Sequence, residues 1–152
     1  MCIYVWQQNN VPAVKVGMSM NPPKRIINTD HWYPKIIKGI YQITKTNGMT
    51  LTHIDKDIKK EFKKLNIRSP HYENLNMSSP TEFYRPEIIP ELDKYFENLK
   101  QKGKIDYIKF YDLEHYEKNK VIIDEETEYD LRYCDLDYEN INLECEFDRF
   151  DE

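Results

Sequence analysis

The chain has few of the residues that mark small disulfide-bonded or zinc-bound domains. Its three cysteines, Cys2, Cys134 and Cys145, are odd in number and form no CxxC pair. A disulfide framework is therefore unsupported, and a reducing, intracellular setting is expected. The four histidines, His31, His53, His71 and His115, are scattered, without the spacing of a structural zinc site. No apolar run approaches the length of a membrane span, so no membrane partner is expected. No basic region precedes the short apolar start, so no signal peptide is expected either.

What is present suits one well-buried core: 152 residues, 39% apolar and 32% charged. The net charge of −5 hides an asymmetry. Residues 1–113 carry 18 Lys/Arg against 12 Asp/Glu, net +6, whereas residues 114–152 carry 4 against 15, net −11. The division predicts a basic body, 1–113, and an acidic, tyrosine-rich extension, 114–152. A basic body points to nucleic acid. An acidic extension points to a basic protein partner, or to the body itself.

Hydrophobic patterning predicts strands at Cys2–Gln7, Ala13–Met18, Lys35–Ile43 and Ile105–Tyr111. Asn21 and Pro22 open a short helix to about Asn28, as an N-cap followed by a proline in the first turn. Leu51, Ile54, Ile58, Phe62 and Leu65 recur at three and four residues, one face of a helix, with Thr52 and Asp55 resembling a capping box. Ile88, Ile89, Leu92, Tyr95, Phe96 and Leu99 form a second such stripe, stopped at Gly103. Residues 66–80 read as loop. In the extension, Tyr129, Leu131 and Tyr133, and again Ile141, Leu143, Cys145 and Phe147, alternate as short strands do. The order β-β-α-β-α-α-β gives an α+β fold, a small mixed, mainly antiparallel sheet flanked by helices.

Certain residues stand in a suggestive order: Ile3-Tyr4-Val5, then Lys15-Val16-Gly17, then Asn21-Pro22-Pro23-Lys24-Arg25. After these come the run Asp55 to Phe62 and the tripeptide Glu82-Phe83-Tyr84. Over about residues 2–100 this series resembles the GIY-YIG endonuclease superfamily, in the branch common in phages and large DNA viruses. The resemblance implies a DNA endonuclease that hydrolyses phosphodiester bonds with Mg²⁺ or Mn²⁺. It assigns Tyr4 to take a proton from water. A phenol with a pKa near ~10 is a poor base at neutral pH, so it needs cationic neighbours, here Lys15 and Arg25. Arg25 would also face charge developing on phosphate oxygens. Asp55 or Glu82 would hold the metal through oxygen. Lys24, Lys56, Lys60 and Lys63 would contact DNA phosphates.

The sequence departs from the pattern at chemically important places. Asp55 stands where that branch has glutamate, and Lys59 where it has histidine, so Lys59 takes the histidine's place in the candidate catalytic set. A lysine at neutral pH binds phosphate but does not shuttle protons without a large shift. An alternative is therefore a domain of the same fold that binds nucleic acid without cutting it. Another is an interaction factor working through its acidic extension. Plainer readings apply to single residues: Tyr4 as core, Gly17 as a close-approach glycine, Arg25 as a helix-end charge and the lysines as a solvated face.

Overall fold

β1 (Cys2–Gln8) sends Ile3 and Val5 to one side of the sheet and Cys2, Tyr4 and Trp6 to the other, each at most 2% exposed. A strand buried on both faces belongs in the middle of a sheet. The computed structural model describes residues 1–8, 12–24, 35–67 and 83–132. Within them β1 lies between β2 (Val14–Ser19) and β3 (Lys35–Thr46). β4 (Asn66–Ile67), β5 (Phe83–Tyr84) and β6 (Ile105–Phe110) complete a six-stranded sheet in the order β4-β5-β2-β1-β3-β6. Every pairing among the described residues is antiparallel. The α+β class expected from the patterning is the class observed.

The first face, lined by Ile3, Val5, Val14, Val16, Tyr41 and Ile43, packs under α1 (Leu51–Glu61) and α2 (Ile88–Gln101). α1 contributes Leu51, Ile54 and Ile58, and α2 contributes Ile88, Leu92 and Phe96, as their periodicity predicts. A 3₁₀ turn, Lys63–Leu65, follows α1, so the expected single helix divides after Glu61. The helix begins two residues before the expected box. Thr50 is the N-cap, its hydroxyl oxygen accepting from the His53 N–H at 3.3 Å while His53 Nδ1 accepts from the Thr50 N–H at 3.0 Å. His53 thus fills the place usually taken by Glu or Gln, and Thr52, expected to cap, is a buried helical residue.

Residues 22–24 are helical, and Asn21 Oδ1 accepts from the Lys24 N–H at 3.3 Å, as an N-cap does. The continuation of that expected helix, from Arg25, lies outside the described residues. α2 carries Pro90 in its first turn, where no intrahelical donor is lost. It stops at Gly103, whose φ of +71° suits glycine.

Beyond the sheet the chain wraps both faces. α3 (Leu113–Asn119) places Tyr116 in the second core with Tyr4, Trp6, Ile40, Phe83 and Phe110. α4 (Glu125–Arg132) returns to the first face, with Leu131 fully buried. Between them the buried Gln42 holds the crossing segment. Its Nε2 donates to the Val121 carbonyl at 2.7 Å and its Oε1 accepts from the Val121 N–H at 2.9 Å. The charge changes sign at the start of α3, but packing continues through Arg132. The strand expected around Tyr129 and Leu131 is helix α4 instead, because a single buried Leu131 serves either period. The alternation from Ile141 to Phe147 lies outside the described residues. No helix among those described is long and apolar enough to cross a membrane.

Three phenols tie the helices of the first face together. Tyr41 of β3 donates to Asp93 of α2, Tyr107 of β6 to Glu97 of α2 at 3.0 Å, and Tyr95 of α2 to Asp57 of α1 at 2.6 Å. Lys109 Nζ donates to the same Asp93 oxygen at 2.8 Å. Burial, and then the carboxylate each phenol faces, raise all three tyrosines above their ordinary value, Tyr107 to about 12. A pKa raised in the folded state favours the neutral phenol there. The stability gained is complete below the unfolded value of ~10 and is lost as pH rises through the folded one. Urea titrations should therefore show stability falling with pH from ~10 to ~12, with a flatter fall in Tyr107→Phe and Tyr41→Phe. An unchanged slope in both variants would count against these bonds.

Candidate nucleic-acid interface

The hairpin places three of the motif residues together. Tyr4 lies directly opposite Gly17 in the β1–β2 register, and Lys15, two residues from Gly17, shares that face of the sheet. The Tyr4 ring lies on the Gly17 backbone. A Cβ added to Gly17 would sit 2.8 Å from Tyr4 Cε2 and closer still to Cζ and the hydroxyl oxygen. The glycine is therefore required by the phenol across the strand, a pairing that joins the first two motifs physically. Both polar groups are deep: Tyr4 is 1% exposed and Lys15 fully buried.

The acid and lysine of the fourth motif, the run Asp55 to Phe62, lie elsewhere. Asp55 and Lys59 are on α1, which packs on the face lined by Ile3 and Val5, the side of the sheet away from Tyr4. Their side chains form an i,i+4 ion pair at 3.1 Å, with Asp55 15% and Lys59 45% exposed. Arg25 and Glu82 lie outside the described residues, and Lys24 is exposed at the end of the described helical turn. The structure thus joins Tyr4 with Lys15, joins Asp55 with Lys59, and holds these two pairs on opposite faces.

Of the two expected metal ligands only Asp55 is among the described residues, and its carboxylate faces the Lys59 ammonium. Among the described residues no group of three His, Cys, Asp or Glu side chains gathers.

What α1 does present is cationic. Its apolar side is spent on the core, Asp55 faces Lys59, and Asp57 accepts from Tyr95. Lys56 and Lys60, one turn apart, are exposed away from the buried side, and Lys63 and Lys64 extend the series along the 3₁₀ turn. Glu61 is the exposed acid among them. Such a row can meet successive phosphates without reading bases.

Sequence reasoning missed several structural contacts. The Tyr41–Asp93–Lys109 node joins residues far apart in the chain, for which no local pattern exists. Gln42 carried a signal, a lone amide inside the apolar run Ile40-Tyr41-Gln42-Ile43, since a buried amide needs partners. Comparison with family models, with curated proteins and with solved structures gives no match.

Gly17→Ala should lower stability by roughly 1–3 kcal/mol in urea melts, the range for overpacking a filled core. Adding Gly17→Ala to Tyr4→Ala should cost much less, because the ring it strikes is gone. Equal penalties in the two backgrounds would show that the ring does not rest on Gly17.

Proposed function

We propose that the chain is a GIY-YIG-like domain that binds DNA through phosphate contacts without cutting it. The observation that carries the reading is the exposed lysine series of α1 and its 3₁₀ turn, Lys56, Lys60, Lys63 and Lys64, on a body of net charge +6. The ordered motifs of the first hundred residues support the family, and the pairing of Asp55 with Lys59 supports the loss of cleavage. A carboxylate held by an ammonium one turn away is a poor metal ligand, and lysine in place of histidine removes a proton shuttle.

Fluorescence anisotropy with duplex DNA over a range of salt tests this. Affinity should fall steeply with salt. Replacing Lys56, Lys60 and Lys63 by Gln should make the log–log slope shallower by about 3, near one unit per lost phosphate contact. Salt-insensitive binding, or an unchanged slope in the triple variant, would sink the proposal.

Phosphodiester cleavage is the second reading, favoured by the shared sheet face of Tyr4 and Lys15 and opposed by their burial. Supercoiled plasmid incubated with Mg²⁺ or Mn²⁺ should stay intact. Nicking that disappears in Tyr4→Phe would establish this second reading in place of the first.

A further inference from the structure

A cleft of about 580 Å³ opens where the end of β3 meets the end of α2, lined by Lys45, Asn47, Lys100, Lys104 and Asp106 with the Gly103 backbone. Its volume falls within the range of small-molecule sites, about 300–1,000 Å³. Three lysines, one from β3 and two from the end of α2 and the turn after it, line this cleft with one carboxylate. Lys100 Nζ lies 3.8 Å from Asp106, with both side chains about half exposed, a weak pair in water. Lys45 and Lys104 have no carboxylate within ion-pair distance among the described residues.

Lysines often gather at a helix end to complement its dipole and cap its last carbonyls. That explanation covers little of this cluster. The α2 carbonyls are already capped by backbone donors, Lys102 N–H to Asn98 O at 3.1 Å, Gly103 N–H to Lys100 O at 3.0 Å and Lys104 N–H to Leu99 O at 2.9 Å. Lys45 belongs to β3 and Lys104 lies beyond the cap, tied to the strand end by the Asn47 N–H donating to the Lys104 carbonyl at 2.8 Å. That backbone bond fixes the spacing of the two walls. A cleft lined by three cationic side chains and one carboxylate favours an anion of two or more charges.

We infer that the cleft between the end of β3 and the end of α2 binds a phosphate group through Lys45, Lys100 and Lys104. The phosphate belongs either to a nucleic-acid backbone or to a free phosphate ester, and the cleft stands whether or not α1 contacts DNA. A phosphodiester running past Lys45 would continue along Asn47 and Gly48 toward the start of α1.

The test uses the full chain, the Lys45→Ala/Lys104→Ala variant, and Lys94→Ala as a control lysine outside the cleft. Pyrophosphate is titrated while amide resonances are followed by NMR at constant ionic strength. The expected result is a saturable shift confined to residues 45–47 and 100–106, weakened at least fivefold in the double variant and unchanged in the control. A duplex DNA titration of the same proteins then separates the sources. A salt slope shallower by about 2 in the double variant assigns the phosphate to nucleic acid. An unchanged DNA slope with lost pyrophosphate binding assigns it to a free ester. Shifts no larger than those given by chloride, together with an unchanged DNA slope, would overturn the inference.

Discussion

The double burial of β1 constrains everything else in this protein. Its two sets of side chains found the two cores, and because successive residues alternate, a slip of one position would exchange them. Tyr4 opposite Gly17 adds a register lock, since at other β2 positions facing this side a Cβ would occupy the space the ring fills. The helices then have little choice. α1, α2 and α4 close over Ile3 and Val5, and Tyr116 of α3 packs among Cys2, Tyr4 and Trp6. Cys2 Sγ reaches the Tyr116 hydroxyl at 3.8 Å, and burial raises that thiol above its ordinary range. A buried, protonated thiol is a packing group, so Cys2 behaves as core.

Elements with repeated periodicity were legible in the sequence; elements held by single contacts were not. α1 and α2 bury the residues their spacing names, because three or more apolar positions define a face. Among the described side chains of α4 only Leu131 is buried completely, and one apolar residue with aromatic neighbours has no unambiguous period. β4 and β5 are two residues each, too short for alternation, and exist because β5 has β2 as a neighbour. β3 runs three residues past its expected end, since pairing with β6 carries Thr44, Lys45 and Thr46 along as strand although their side chains are polar. The cap of α1 falls at Thr50 and not at Thr52 for a related reason. Thr50 and Thr52 are equally good caps by residue type, and the choice rests on Thr50 being extended, with φ −108° and ψ 170°.

The candidate site was legible in part for the same reasons. Tyr4, Lys15 and Gly17 are neighbours because hairpin register is a local property. That Asp55 would lie across the sheet from them was not readable, since the amphipathic pattern of α1 fixes which side is buried but not which face of the sheet receives it. Charge behaves differently again. The lysines of α1 were visible at once, whereas the cleft formed by Lys45, Lys100 and Lys104 depends on a strand end and a helix end meeting in space.

The Asp55–Lys59 pair explains why the proposed function rests on α1's outer surface and not on the hairpin. An acid and a histidine one turn apart can leave the carboxylate available to a cation and the imidazole available to a proton. An acid followed four residues later by lysine is instead among the favourable intrahelical arrangements, and it neutralises both members within the helix. On the proposed reading, a lysine at position 59 both lacks an imidazole's proton chemistry and faces the Asp55 carboxylate. What remains outward-facing is Lys56, Lys60, Lys63 and Lys64, charges with long flexible stems suited to an ion atmosphere more than to a fixed reaction geometry. Tyr4, 1% exposed and lying on the Gly17 backbone, is a member of the second core, whereas these lysines are at the surface.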